Sequence, residues 1–279
     1  MIHHEDRFAA ANGLSLYERA WLPEGEPGAV LVVVHGFIEH SGRYAPLAEL
    51  LSARGYAVRA YDHQGHGRSE GAGVFVRRFD DYLDDLEIFL GRVKDRHPGK
   101  PLLVFGHSMG GAITGLLAAA GRLDARGLVL SAPAARTGPK VFPLLRHLAR
   151  IMGTLASKLR IVRMGHGFVS RDPKVVEQFA NDPLVFHGRI PCRTGAEILA
   201  AAPRLMKSAP RIRLPLLILQ GTGDVVVDPR GAEELHRRAG SSDKTLKLYA
   251  ELYHDVLSEP EREQVLDDLL GWLDEHRSY

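Results

Sequence analysis

The stretch PLLVFGHSMGGA (residues 101–112) sets an apolar run against a serine flanked by glycines. Leu102 to Phe105 read as a strand buried on both faces, and helical spacing begins at Met109 and continues to Gly121. Between them Gly106-His107-Ser108-Met109-Gly110 has the form G-x-S-x-G. Glycines alone suit any loop, but between a strand and a helix they permit a sharp turn that lifts the serine hydroxyl above the sheet edge. The helix that follows aims its free N–H groups and positive end at the same point.

Working outward, the same strand-then-helix unit recurs. Short apolar runs lie at Val30–Val34, Ala57–Tyr61, Leu128–Leu130, Leu216–Leu219 and Leu246–Tyr249. Helical spacing covers Ser41–Arg54, Asp80–His97, Pro229–Ala239 and Glu261–His276. Before them, two alternating segments flank Asn12-Gly13 and predict a β-hairpin closed by a type I′ turn. With the hairpin there are eight candidate strands, and their alternation with helices predicts an α/β fold: a mostly parallel sheet covered by helices on both faces.

The alternation fails between about 134 and 209, where no run reads as a strand. Within it, VFPLLRHLARIMGTLASKLRIV (141–162) carries apolar residues at helical spacing. The expected organisation is therefore a core of residues 1–133 and 210–279 with a helical insertion at 134–209. Between Arg136 and Arg171 the insertion holds eight Lys or Arg residues and no acid. Such a basic amphipathic segment suits transient contact with an anionic membrane or micelle, but the preferred reading is a lid whose charges are simply solvated.

Composition narrows the function classes. The 279 residues are 45% hydrophobic and 25% charged, ordinary for a globular protein, and a net charge of +2 gives no footprint for nucleic acid. The N-terminus has no basic start followed by an apolar stretch, and no apolar run approaches the roughly 20 residues that span a bilayer. These features predict a soluble, cytoplasmic protein. A lone cysteine, Cys192, excludes an intrachain disulfide and a multi-cysteine metal site, and reads as a spectator thiol.

A serine hydroxyl needs a base, and the base needs a carboxylate to hold its tautomer. After Leu216–Leu219 two aspartates compete: Asp228 precedes Pro229 and a helix, as an N-cap does, whereas Asp224 sits in the turn after the strand. Asp224 is the preferred acid. His254 lies in the loop after the last strand and is the preferred base. Ser108, Asp224 and His254 then follow the order nucleophile, acid, histidine, each at the C-terminal end of a strand. The N–H groups of Met109 and Phe37 are the natural oxyanion donors. His63, His66 and His107 read as structural, and the chemistry calls for no metal or cofactor.

These residues together resemble the α/β-hydrolase superfamily, and more closely the monoacylglycerol lipase family with its lysophospholipase-like relatives. The resemblance rests on His35-Gly36, Glu39 to Tyr44, Tyr61 to Ser69, Gly106 to Gly111 and the segments bearing Asp224 and His254. It implies a single-chain acyl ester as substrate, Ser108, Asp224 and His254 as triad, and the 134–209 insertion as cap. It further implies that Glu39 and Arg43 organise the end where a glycerol headgroup lies, against which stands a plain structural ion pair. Family members often carry a small residue or glycine where this chain has Phe37-Ile38. Hydrolysis of monoacylglycerols is the expected activity, with lysophospholipase or carboxylesterase action as the alternative and a non-catalytic ligand-binding protein as the reading from another class.

Overall fold

The computed structural model describes residues 1–138 and 151–277. An eight-stranded sheet is built from β1 (Ile2–Ala9), β2 (Ser15–Leu22), β3 (Ala29–Val34), β4 (Tyr56–Tyr61), β5 (Leu102–His107), β6 (Gly127–Ser131) and, after an excursion that includes the short strands β7 (Arg160–Val162) and β8 (Ile190–Pro191), β9 (Leu216–Gly221) and β10 (Lys244–Tyr249). The spatial order is β1-β2-β4-β3-β5-β6-β9-β10. β2 is antiparallel to both β1 and β4, and the remaining pairs are parallel. The expected α/β architecture is thus the observed one.

Parallel neighbours require crossovers, and these carry α1 (Ala45–Ala53), α2 (Phe79–Arg96), α3 (Met109–Ala119), α4 (Pro173–Asn181), α5 (Cys192–Ser208) and α6 (Arg230–Arg238), while α7 (Arg262–Arg277) follows the last strand. Strand residues alternate between two cores, which is why the central strands are apolar throughout rather than alternating. Val30, Val32 and Val34 face α2 and α3, whereas Leu31 and Val33 face α1 and α7. The last turns of α5 join the first core, where Leu205 lies against Gly115 of α3.

Two local expectations are corrected. The hairpin loop runs from Ala10 to Leu14: Gly13 N donates to Ala10 O at 3.0 Å and Ala10 N to Leu14 O at 2.8 Å. Only Gly13, at φ +84°, is left-handed there, so the turn is not type I′, which needs positive φ at both central residues. Asn12 instead accepts from Leu14 N through its side chain. Secondly, the excursion between β6 and β9 is not purely helical. The three exposed residues of β7 pair antiparallel with β8, and such short strands form only when a distant partner supplies the hydrogen bonds. Of the helical run expected across 141–162, residues 151–155 are helical and 160–162 are strand, while 141–150 lie outside the described residues. Among the described residues no helix is long and apolar enough to cross a membrane.

Candidate active site

β5 ends at His107, and Ser108 turns the chain into α3 at φ +53°, ψ −113°. A non-glycine residue held there costs about 1–3 kcal/mol, so the surroundings must enforce it. They do so through three backbone bonds: Ser108 N donates to Ser131 O (2.9 Å), and Ser108 O accepts from Ala112 N (3.1 Å) and Ala134 N (3.0 Å). The flanking glycines are needed for close approach. A Cβ on Gly110 would stand 2.1 Å from Val34 O, and one on Gly106 2.5 Å from Thr114 Oγ1.

His254 reaches this serine from the loop after β10. Its Nε2 lies 2.8 Å from Ser108 Oγ and its Nδ1 2.7 Å from Asp224 Oδ2. With Asp224 ionised, Nδ1–H donates to the carboxylate and Nε2 is left to accept the serine proton. Asp224 is fixed in turn, accepting from the amides of Val226 (2.8 Å) and Val227 (3.1 Å) and from Gln220 Nε2 (3.1 Å). Gly221 lets the two loops meet, because a Cβ there would stand 2.2 Å from Leu252 O.

The electrostatics follow from burial set against pairing. Burial alone would raise the Asp224 carboxyl, but His254 and the two amides outweigh it and hold it below the ordinary carboxylate value. Burial likewise pulls His254 down, and Asp224, with Asp255 and Glu39 behind it, lifts the imidazole above its usual value. His107 lies in the same pocket with its ring 4.9 Å from that of His254, and burial followed by the His254 charge keeps it below the ordinary histidine value. Its Nδ1 is 3.3 Å from Ser131 Oγ, a packing position rather than a place in the hydrogen-bonded line.

On the far side of Ser108 lies the loop after β3. Neither Phe37 N nor Met109 N donates to another group among the described residues. Ile38 stands at φ +63°, a left-handed backbone that a β-branched side chain resists. Glu39 braces the loop: its Oε1 accepts from Gly36 N (2.5 Å) and Tyr44 Oη (2.8 Å). Its Oε2 accepts from Arg43 Nε (3.0 Å), and Arg43 continues to Asp255 Oδ2 (3.2 Å) while lying over the Phe179 ring. The Glu39–Arg43 pair is therefore part of the framework and also part of the cavity wall.

That cavity has a volume of about 350 Å³ and opens onto Ser108 and His254. Met164, Phe168, Val169, Phe179, Ile198 and Leu199 give it apolar walls. Cys192, buried at the start of α5, also lines it. Elsewhere, Asp228 accepts from Arg230 N (3.0 Å) and pairs with Arg136 (3.0 Å), the capping position expected of it. His63 N donates to His35 Nε2 (3.0 Å) and the His63 ring meets His35 O (3.1 Å), so these histidines tie two loops together. Sequence reasoning did not single out Gln220, Tyr44 or Asp255. Only the adjacency of Asp255 to His254 offered a signal, whereas the other two matter through contacts made by folding.

An eight-stranded α/β sheet with an elbow serine, a histidine after the last strand and a carboxylate after the preceding one defines the α/β-hydrolase class. Residues 25–261 match the family model described as serine aminopeptidase, S33. The chain is 36% identical over 272 residues to a monoacylglycerol lipase of Mycolicibacterium smegmatis, covering 98% of this chain and 97% of that protein. It is also 36% identical to the monoglyceride lipase of Homo sapiens, over 88% of this chain and 81% of the other. The crystal structure of Paleococcus ferrophilus monoacylglycerol lipase superposes with a TM-score of 0.83 at 31% identity, covering 94% of this chain and 99% of that one. The chain belongs to the serine aminopeptidase S33 family, in its monoacylglycerol lipase branch, and is a serine hydrolase.

Proposed function

We propose that the protein hydrolyses monoacylglycerols to free fatty acid and glycerol, with Ser108 as nucleophile, His254 as base and Asp224 as its orienting acid. The single observation that carries this reading is the line Asp224–His254–Ser108, with bonds of 2.7 and 2.8 Å, ending at the mouth of an apolar cavity. His254 takes the Ser108 proton as Oγ attacks the ester carbonyl. The resulting oxyanion is held by the N–H groups of Phe37 and Met109. Collapse returns the proton to the departing glycerol oxygen and leaves an acyl-enzyme, which water opens by the reverse sequence. The apolar walls suit one acyl chain, and the Glu39–Arg43–Asp255 end suits a small polar headgroup.

Aminopeptidase action, which the family's description suggests, has less support. A free α-ammonium needs an unspent carboxylate, and Glu39 and Asp255 on the cavity wall both already pair with Arg43. We assign residues 134–209 the role of cap, since this excursion supplies most of the apolar wall. Its exposed Leu155, Leu159, Ile161 and Val162 lie among Lys158, Arg160 and Arg163, a surface suited to a lipid aggregate.

The test is the rate on monoacylglycerols of graded length, measured beside diacylglycerols, lysophospholipids and short simple esters, with Ser108→Ala as blank. The expected result is a preference for monoacylglycerols and a loss of at least about 10⁴-fold in the variant. Faster turnover of short simple esters than of every monoacylglycerol would assign a general carboxylesterase instead, and an active Ser108→Ala protein would remove the mechanism.

A further inference from the structure

A second pocket, of about 340 Å³, lies away from the site just described, where β1, β2 and β4 run side by side at one edge of the sheet. The strand register places His4, Ala20 and Arg59 in one row across these strands and Asp6, Glu18 and Tyr61 in another. Ala20 is small, so the row containing it leaves an opening between His4 and Arg59. The C-terminal end of α2 closes the pocket from above with Arg96.

The charges in this pocket do not balance. Glu18, buried beneath, pairs with both Arg92 (3.2 Å) and Arg96, and Asp6 pairs with Arg96 (2.8 Å) and Arg92 (3.6 Å). Of the other charged residues in the wall, Glu5 pairs with Arg68 (3.1 Å) and Arg19 lies over the Tyr17 and Trp21 rings, so the guanidinium groups of Arg59, Arg96 and the neighbouring Arg92 stand against the carboxylates of Asp6 and Glu18. Arg59 is the one left over: it is 9% exposed, donates from Nε to His97 Nε2 at 3.1 Å, and forms no ion pair among the described residues. Buried charges are ordinarily paired, because an isolated one loses its hydration without a counter-charge. The surroundings report the same surplus. Burial, then Arg96 and Arg92, depress Arg59, with only Glu18 and Asp6 acting against them. His97 is held at about 4 by burial and by Arg59, Arg96 and Lys100.

We propose that this pocket binds a small oxyanion, a phosphate or carboxylate group, on the Arg59 guanidinium with Arg96 as the second donor. A planar guanidinium presents two parallel N–H groups to such a group, and the ligand supplies the missing negative charge. The site is separate from the ester-cleaving machinery, so its occupancy and the activity at Ser108 are tested independently.

The experiment titrates inorganic phosphate and, in a second arm, acetate into the full-length protein, with chloride at matched ionic strength as control. Thermal unfolding and the NMR titration of the His97 ring are followed together. The expected result is a saturable rise in unfolding temperature with phosphate or acetate beyond that with chloride, accompanied by an upward shift of the His97 pKa. Tighter binding of phosphate assigns a phosphorylated ligand, and equal or tighter binding of acetate assigns a carboxylate. Arg59→Gln should weaken binding at least about tenfold while leaving hydrolysis of a short soluble ester unchanged. Arg96→Gln, at a side chain one-third exposed, provides the same comparison if the buried substitution prevents folding. Responses to phosphate and acetate no greater than to chloride, or variants that bind as the parent does, would overturn the proposal.

Discussion

Arg43 touches neither Ser108 nor His254, yet it governs the charge around both. It pairs with Glu39 at 3.0 Å and Asp255 at 3.2 Å, the two carboxylates that stand behind His254 and favour its protonated form, and offsets part of their charge. Removing the guanidinium exposes the imidazole to both negative charges, so its pKa must rise further. The proposed mechanism needs neutral His254, so activity should grow as pH rises through that pKa. For Arg43→Gln the acidic limb of the kcat/KM profile, measured with a short soluble ester, is expected to move upward by about 0.5–1 pH unit. A limb that stays in place would mean that solvent already screens these charges. That Ser108, Asp224 and His254 would come together was legible because each follows a strand at a motif or turn, whereas this bracing was not. Asp255 and Tyr44 acquire meaning only when the loops after β3 and β10 come together.

At the scale of single elements, α2 carries a carboxylate where its face is otherwise apolar. Asp85 is buried between Leu83 and Leu86, accepting from Ala11 N at 3.1 Å through Oδ1 while Oδ2 has no partner among the described residues. Burial raises it to about 7, with Asp81 and Asp84 adding to the shift against the Ala11 amide. The folded protein thus keeps a proton that the unfolded chain releases near the ordinary aspartate value of 3.8. Stability is unaffected by this group below that value, declines as pH rises towards 7, and stays lower above it. Asp85→Asn is expected to raise stability by roughly 2–4 kcal/mol at pH 8 and by little at pH 4, read from urea unfolding at both. A variant less stable at pH 8 would show that the charged form has a partner. The pattern of Leu83, Leu86, Phe89, Leu90 and Val93 made this helix readable despite that interruption. β7 and β8 were unreadable for the opposite reason, since their pairing is set by the fold of the excursion and not by their own residues.

For the molecule as a whole, the excursion between β6 and β9 is fastened to the core at several separated points. Phe186 N donates to Ile38 O (2.8 Å), His40 pairs with Asp182 (2.9 Å), and Arg171 pairs with the fully buried Glu259 (2.7 Å). Leu155, by contrast, is 80% exposed. Placing Asp at Leu155 should slow turnover of aggregated monoacylglycerol by about threefold or more while sparing a monomeric soluble ester, since only the former must be reached on a surface. Equal effects on both would assign the residue to the internal fold. The sheet and its crossovers could be read from periodicity, but the route of this excursion could not, because its backbone follows the core beneath it.

The line joining Asp224, His254 and Ser108 has a further use. Its outer members meet across 146 and 30 intervening sequence steps, so no fragment or partly collapsed chain assembles it. If Ser108 is the proposed nucleophile, a fluorophosphonate reagent that captures it counts molecules in which the loops after β5, β9 and β10 have come together. Labelling stoichiometry then becomes a direct census of native protein in any preparation, including one to which no substrate has been added.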